Sequence, residues 1–298
     1  MTEDSGASPL RVPIIYAHSR LVGLIGWPIE HSVSPPMHNV AFDALGLDWC
    51  YVPLPVPPQR LREAVEGVRA LGLRGVNATV PHKQALLPLL DELTPAAETI
   101  GAVNTIVVDE EKLVGHNTDA RGFMQAVREA GFSPDGCTAL VLGAGGAARA
   151  VVYALGGVAE RVIVLNRTMQ RAHDLVGYFQ RRVSAELEAG PLEAAAISEM
   201  ASEVDLVVNA TPVGMWPQVD ASPWPVGVPF PPGAFCFDLI YHPRETHLMH
   251  TARAAGAGAA NGLGMLVHQG AEAFELWTGR EPPVKVMYAA CERVLERE

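Results

Sequence analysis

The stretch Gly143-Ala-Gly145-Gly-Ala-Ala148, which follows the apolar run Ala139-Leu-Val-Leu142, decides the fold of this chain. A glycine-rich turn between a strand and a helix is where a G-x-G-x-x-G/A sequence binds the pyrophosphate of a dinucleotide. The first glycine allows the tight turn, and the second lets the backbone approach the phosphates. Ala148 is small enough for the helix to pack against the strand. The sequence therefore predicts a dinucleotide-binding domain of the Rossmann type.

The residues that follow indicate which dinucleotide is bound. The second strand of this unit, Arg161-Val-Ile-Val-Leu165, leads into Asn166-Arg167-Thr168 rather than into an acidic residue. A carboxylate there would hydrogen-bond the ribose 2′-hydroxyl of NAD, whereas an arginine accommodates the 2′-phosphate of NADP. We therefore predict NADP(H) as the cofactor. Because the turn comes midway along the chain, another domain is expected before it.

Composition and charge are those of a globular protein with room for two domains. Of the 298 residues, 49% are hydrophobic and 18% are charged. The net charge of −11 predicts no attraction to nucleic acid or to a membrane surface. The four cysteines are scattered without a C-x-x-C pair, so we expect no metal site and a reduced, cytoplasmic location. Residues 1–17 are predicted to be a flexible extension, and the sequence leaves monomer and homodimer open.

Strand and helix signals alternate before the glycine turn, as in an α/β domain with a mostly parallel or mixed sheet. Apolar runs predict strands at 21–25, 49–54 and 75–80, and a hairpin from 102–108 and 113–116. Helices are expected from Ser34-Pro35-Pro36 to Gly46, and from 61 to 72.

Beyond the turn, the pattern predicts further strands at 205–209 and 234–239, and helices at 265–277 and 284–295. The uncharged stretch 254–271 contains several glycines, so we expect a loop leading into a helix rather than a membrane span. No strand is expected after 239. The predicted organisation is an N-terminal α/β substrate domain with a mixed sheet (1–120), a Rossmann-type NADP-binding domain (121–259), and C-terminal helices (260–298) that return to the substrate domain.

Polar clusters follow the predicted strands, where ligands bind in open α/β sheets. Ser32 and Ser34 enter a helix whose free backbone N–H groups could help them to cradle a carboxylate, although Ser34 could simply cap the helix. On a strand, Asn77 and Thr79 would share one face.

Lys83 and Asp119 are the candidate residues for proton transfer. Lys83 is expected where the strand leads into a helix, and a lone lysine is usually solvated. Asp119 could be only the N-cap of the next helix. In a cleft, however, an Asp–Lys pair can transfer a proton to or from an alcohol or ketone oxygen.

Taken in order, these motifs resemble those of the shikimate dehydrogenase family. The matching segments are Gly26–Pro35, Gly75–Lys83, Gly101–Thr105, His116–Asp119, Gly143–Arg149, Asn166–Thr168, Asn209–Met215 and Gly262–Gly270. The resemblance runs from about Leu21 to the C-terminus, and Ala78 stands where a valine is common in the family. It implies the reversible reduction of 3-dehydroshikimate to shikimate by NADPH, a step of chorismate and aromatic amino acid biosynthesis.

The resemblance also implies residue roles for the small-molecule substrate and the cofactor. Lys83 and Asp119 would be the catalytic pair, and Ser32 and Ser34 would hold the carboxylate of shikimate, with Tyr241 nearby. The ring hydroxyls would be bound by Thr79, Asn104, Asp119 and Gln269. The cofactor pyrophosphate would lie on Gly143, Ala144, Gly145, Gly146 and Ala147, and the 2′-phosphate near Asn166, Arg167, Thr168 and Arg171. Leu239 and Gly262 would line the nicotinamide site.

Two alternatives to this function remain open at the sequence level. One is a quinate/shikimate dehydrogenase that accepts a broader range of substrates or uses NAD. The other is a dinucleotide-binding module without catalytic activity, which the presence of both Lys83 and Asp119 disfavours.

Overall fold

Two six-stranded β-sheets form the framework of the protein. A computed structural model describes residues 15–297, so the extension predicted at residues 1–17 lies largely outside the described residues. The two sheets confirm the predicted class, an α/β substrate domain joined to a Rossmann-type domain. The domain limits near residues 120 and 260 stay predictions.

The first sheet is mixed, as predicted, with the strand order β2-β1-β3-β5-β6-β4. Its strands are β1 (Arg20–Gly26), β2 (Trp49–Pro55), β3 (Gly75–Ala78), β4 (Glu92–Leu93), β5 (Thr105–Asp109) and β6 (Lys112–His116). The parallel strands β1, β2 and β3 need crossover helices, which are α1 (Ser34–Ala44) and α2 (Leu61–Ala70). The short helix α3 (Pro95–Ile100) precedes the antiparallel β5–β6 hairpin, which was predicted from the sequence.

The second sheet is parallel throughout, with the order β12-β11-β10-β7-β8-β9. Its strands are β7 (Thr138–Leu142), β8 (Arg161–Asn166), β9 (Glu186–Pro191), β10 (Leu206–Asn209), β11 (Phe235–Asp238) and β12 (Gly258–Ala260). The helices around it are α4 (Asp119–Glu129), α5 (Gly146–Gly156), α6 (Met169–Phe179), α7 (Ala194–Met200) and α8 (His247–Ala254). Both faces are buried, since Ala139 and Val141 pack into one core and Leu140 and Leu142 into another.

The last two helices return to the first sheet, as the sequence predicts. They are α9 (Leu263–Thr278) and α10 (Val284–Leu295). Phe274 and Met287 share a core with Met37 and Phe42 of α1, and the indole N–H of Trp277 donates to the carbonyl of Ile106 at 3.0 Å. The helix α9 also packs along α4, so it contacts the helix that leads into the second sheet. Within residues 15–297 no helix is both long enough and apolar enough to cross a bilayer.

The structure corrects several of the sequence predictions. A strand, β12, does follow 234–239, and β9 was missed as well. Both are edge strands, and β9 contains a glycine and a proline, which edges tolerate and which hide the strand pattern. β3 ends at Ala78, so Thr79 lies beyond the strand rather than on its face. The helix α1 has Val33 at its N-cap, so Ser34 is its first residue and not its cap.

Candidate active site

Lys83 and Asp119, 36 residues apart in sequence, meet between the two sheets. The Lys83 Nζ atom lies 2.5 Å from Asp119 Oδ2, and the two side chains are only 14% and 5% exposed. Lys83 is therefore not a solvated surface lysine. Asp119 is the first residue of α4, where Thr118 occupies the N-cap, so its carboxylate is not a helix cap either. Lys83 and Asp119 therefore form the ion pair on which the predicted chemistry depends.

The loop that carries Lys83 is fixed at several points, although no α-helix follows it directly as predicted. A turn leads instead into a short 3-10 helix at Leu87–Leu89. The buried ring of His82 is hydrogen-bonded through Nε2 to the carbonyl of Val56 at 2.7 Å. The Lys83 carbonyl accepts from the Val103 N–H at 2.8 Å. These contacts fix the backbone of the loop from which the Lys83 side chain extends.

The side-chain amide of Asn104 contacts three other polar side chains of the site. Its Nδ2 atom lies 2.9 Å from Asp119 Oδ1, 2.9 Å from Thr118 Oγ1 and 3.3 Å from Gln269 Oε1. Its Oδ1 accepts the Thr118 N–H at 2.8 Å. The amide thus orients the Asp119 carboxylate, and it places Gln269 of α9 on the same site. Four predicted residues (Lys83, Asn104, Asp119 and Gln269) are brought together.

Ser32 and Ser34 lie at the start of α1, and the Ser34 N–H donates to Ser32 Oγ at 3.3 Å. Beneath them lies Tyr51, a buried tyrosine whose hydroxyl contacts the Ser34 side chain. Burial raises the pKa of Tyr51 well above its ordinary value, so its hydroxyl stays protonated and can donate. Tyr51 was missed at the sequence level, where the only signal was a phenol within an otherwise apolar strand.

A chain of buried hydrogen bonds connects this serine pair to the catalytic pair. Tyr51 donates to Asn77 Oδ1 at 2.8 Å, and Asn77 Nδ2 donates to Thr105 Oγ1 at 2.9 Å. Thr105 Oγ1 in turn donates to the side-chain Oδ1 of Asn104 at 3.2 Å. The end of α1 that carries Ser34 and the amide that orients Asp119 are therefore held by one network.

Thr79 and Tyr241 complete the predicted substrate residues, at the ends of two strands. Thr79 is half-buried one residue past β3, and its N–H donates to the Ile25 carbonyl at 2.9 Å. Tyr241 follows β11 and packs against the core that contains Ile29 and Leu263. Tyr241 therefore bridges from the second sheet to the substrate side.

The glycine turn has the geometry that the sequence predicts. Gly143 has φ +109°, and a Cβ there would lie 3.0 Å from the Ala210 carbonyl oxygen. At Gly145, the N-cap of α5, a Cβ would have no atom within 4 Å, so this part of the turn is open. A Cβ at Gly146 would lie 3.5 Å from Lys83 Cβ. The turn and Lys83 are therefore direct neighbours.

The end of β8 fits the 2′-phosphate of NADP. Arg167 and Arg171 are exposed, and neither side chain forms an ion pair with any residue from 15 to 297. Asn166 Nδ2 donates to the Thr168 carbonyl at 2.9 Å, which shapes the entry to α6. Two unpaired guanidiniums at a helix N-terminus suit a phosphate. Ala144 and Ala147 lie half-buried in the glycine turn nearby.

Leu239 and Gly262 lie where the chain leaves β11 and enters α9. A Cβ on Gly262 would overlap the Leu239 carbonyl, so only glycine allows this approach. The Gly262 N–H donates to the Ile240 carbonyl at 3.0 Å. The segment that follows β11 and the N-terminus of α9 are thereby joined.

Asp238, at the end of β11, belongs to a structural anchor rather than to the catalytic pair. It accepts hydrogen bonds from Asn209 Nδ2 at 2.9 Å, Thr246 Oγ1 at 2.7 Å and the Ile240 N–H at 3.0 Å. Burial raises the pKa of Asp238 to about 6, and the three donors oppose this shift. The polar cluster at Asn209 therefore ties the ends of β10 and β11 together.

Comparison with known proteins assigns the chain to a family. Three family models match it in succession: the shikimate dehydrogenase substrate binding domain at residues 24–106, shikimate/quinate 5-dehydrogenase at 126–214, and the shikimate 5′-dehydrogenase C-terminal domain at 262–292. A shikimate dehydrogenase (NADP(+)) from Methanopyrus kandleri is 46% identical over 276 residues, which are 92% of this chain and 95% of that protein. The chain belongs to the shikimate dehydrogenase family.

Solved structures of the shikimate dehydrogenase family share the fold. Shikimate 5-dehydrogenase from Thermus thermophilus, in complex with NADP(H) and shikimate, has a TM-score of 0.82 and 42% identity, with 93% of this chain and 100% of that one covered. Quinate dehydrogenase from Corynebacterium glutamicum, in complex with NAD, has a TM-score of 0.83 and 34% identity, with 92% and 99% covered. The family resemblance and the predicted fold are confirmed, whereas the role of each residue stays a prediction.

Proposed function

We propose that this shikimate dehydrogenase family member catalyses the reversible, NADPH-dependent reduction of 3-dehydroshikimate to shikimate in chorismate biosynthesis. The single observation that supports it most is the Lys83–Asp119 pair, 2.5 Å apart and directly beside Gly146 of the glycine turn. A proton donor next to the dinucleotide turn is what reduction of a ketone requires.

The chain's own residues bind and orient the substrate. Ser32 and Ser34 hold its carboxylate at the start of α1, with Tyr241 near the carboxylate. The ring hydroxyls contact Thr79, Asn104 and Gln269, of which the two amides are already hydrogen-bonded together. A fixed donor arrangement of this kind lowers the cost of orienting the substrate.

The buried Lys83–Asp119 pair carries out proton transfer. NADPH, when bound, supplies the hydride to the carbonyl carbon. The Lys83 ammonium polarises the carbonyl oxygen and donates a proton to the alkoxide that develops there, while Asp119 holds the ammonium and contacts the neighbouring hydroxyl. In the reverse direction the neutral amine of Lys83 accepts the hydroxyl proton and becomes the ammonium again.

The decisive experiment follows nicotinamide absorbance with shikimate or quinate, each with NADP and with NAD. We expect the highest kcat/KM for shikimate with NADP. Better turnover of quinate, or of either substrate with NAD, would support the quinate dehydrogenase alternative. The similarity of this fold to that of the Corynebacterium quinate dehydrogenase is the reason to test it. Binding of NADPH without turnover of any pair would instead indicate a non-catalytic module and overturn the proposal.

We further infer that the enzyme is cytoplasmic and is a monomer or a homodimer. All four cysteines are unpaired and buried, which is consistent with a reducing compartment. Fractionation of cells and light scattering of the purified protein test these two statements.

A further inference from the structure

An open surface cavity of about 850 Å³ lies between α4, α5 and the turn that follows α6. None of the residues assigned above to substrate or cofactor lines it. Its walls are formed by Ala120, Arg121, Met124, Gln125, Arg128, Tyr153, Ala154, Gly157, Arg181, Arg182, Val183 and Ser184. The volume is within the range of small-molecule sites, which is roughly 300–1,000 Å³.

The charge of this cavity is opposite to that of the protein. Among residues 15–297, four arginines line it and no aspartate or glutamate does, although the whole chain carries a net charge of −11. The Arg181 side chain forms no hydrogen bond or ion pair with residues 15–297. Arg128 reaches Asp135 only at 4.0 Å, and Arg121, which pairs with Glu272, is 82% exposed. The guanidiniums of Arg128 and Arg181 are therefore available to a ligand.

A fifth arginine, Arg149 of α5, lies close to Arg182, although it does not line the cavity. Arg149 and Arg182 lie over the ring of Tyr178, each with its guanidinium carbon 4.1 Å from the ring centroid. Burial and the charge of Arg182 lower the pKa of Arg149. Positive charges kept this close, without a carboxylate between them, produce a local field that attracts anions.

We propose that this cavity binds a small molecule that carries two or more phosphate or carboxylate groups. The planar guanidinium fork binds both groups through paired hydrogen bonds. Arg121 and Arg128 come from α4, whereas Arg181 and Arg182 come from the turn after α6, so two separate elements offer guanidiniums to the anionic groups. Met124, Ala154 and Val183 supply an apolar surface for the carbon body, and Tyr153 supplies a ring. The site is independent of the proposed reaction.

Isothermal titration tests this proposal with pyrophosphate and with citrate, which separate phosphate from carboxylate ligands. The protein is first saturated with NADP⁺, so that the probes do not occupy the cofactor site, and sodium chloride of equal ionic strength serves as the blank. We expect saturable binding of at least one probe at one site per chain. By linkage, the same probe then raises the melting temperature.

The double variant Arg128→Gln/Arg181→Gln removes one guanidinium from each wall. We expect its affinity for the probe to fall by at least about 10-fold, because each charge-assisted hydrogen bond contributes on the order of tenfold or more. Arg60→Gln, at an exposed arginine outside the cavity that pairs with Glu63, should bind normally. Absence of saturable binding at millimolar probe would overturn the proposal. So would unchanged binding to the double variant, which would place the probe in the active site instead.

Discussion

At the scale of single residues, Lys83 is the side chain on which the proposed reaction depends most. We expect Lys83→Ala to lower kcat by at least about 10²–10⁴-fold, because positioned acid catalysis contributes that much. NADPH binding should persist, since the glycine turn and Arg167 are untouched. Steady-state kinetics and a fluorescence titration with NADPH measure the two effects.

Lys112→Ala is a matched control for Lys83→Ala. Lys112 Nζ also lies 2.5 Å from a carboxylate, that of Glu92, but this pair is exposed between β6 and β4. The control should keep full turnover, since exposed ion pairs contribute little. Near-normal kcat in Lys83→Ala would remove Lys83 from the mechanism.

Arg167 is the residue expected to select the cofactor. A charge-assisted hydrogen bond to the 2′-phosphate contributes roughly 1.5–3 kcal/mol, or about 10–100-fold in affinity. We therefore predict that Arg167→Ala raises KM for NADP by about this factor and changes KM for NAD little. The exposed Arg280→Ala variant is the control. Equal losses with both cofactors would contradict the assignment.

At the scale of elements, the junction of β11 with α9 depends on the absence of a side chain. We predict that Gly262→Ala destabilises the protein by about 1–3 kcal/mol, because the added methyl overlaps the Leu239 carbonyl. Gly67→Ala, in the middle of α2, has no atom within 4 Å of the new Cβ and should stabilise by about 0.5–1 kcal/mol. Urea unfolding of both variants measures the difference in sign. If Gly262→Ala is as stable as the wild type, the junction is looser than its geometry indicates.

Asp238 should make the stability of the β10–β11 ends depend on pH. Burial raises its pKa to about 6 from the ordinary 3.8, so the folded protein binds this proton more tightly than the unfolded chain. The resulting stabilisation is complete below about pH 4 and is lost as pH rises through about 6. Relative to Asp238→Asn, the wild type should lose about 3 kcal/mol between about pH 4 and pH 7. Urea unfolding of both proteins across this pH range tests the prediction. If the wild type instead gains unfolding free energy relative to Asp238→Asn as the pH rises, the three hydrogen-bond donors outweigh burial.

The element scale also shows where sequence patterns fail. The strongly apolar central strands β7 and β8 were predicted within one residue, because burial on both faces produces a continuous apolar run. β12 is a three-residue strand of glycine and alanine at an edge, and it has no such run. The chain's own composition does not distinguish it from a loop.

At the scale of the whole molecule, Arg149 joins the two sheets. It extends from α5, stacks on Tyr178 and donates from Nε to the Ile100 carbonyl at 2.7 Å. The Tyr178 hydroxyl donates to the Glu98 carbonyl at 3.1 Å. The glycine-turn helix is thus attached to the segment that leads into Asn104.

We predict that Arg149→Ala increases amide hydrogen exchange across residues 97–104 by about tenfold or more, since a charge-assisted bond to a carbonyl contributes roughly 1.5–3 kcal/mol. Arg182→Ala is the control, because Arg182 stacks on the same ring at 4.1 Å, and within residues 15–297 its guanidinium donates to the carbonyl of Tyr178 itself rather than to the other domain. Equal exchange in both variants would mean that the Ile100 contact does not hold the two parts together.

The sequence by itself determined the features that depend on neighbours in the chain. The glycine turn and the Asn166–Thr168 segment are local, because a positive φ, a close backbone approach and an absent carboxylate are properties of a few consecutive residues. Helix periodicity likewise placed α10 at its observed limits.

Only the tertiary structure decided which polar residues act together. It converted Lys83 and Asp119 from two ambiguous side chains into a buried pair, connected Ser34 to Asn104 through Tyr51 and Asn77, and assigned Asp238 to a structural anchor. It also gathered arginines from one helix and one turn around a single cavity. Each of these depends on distances between residues far apart in the chain, and those distances are set by how the helices cross between the sheets.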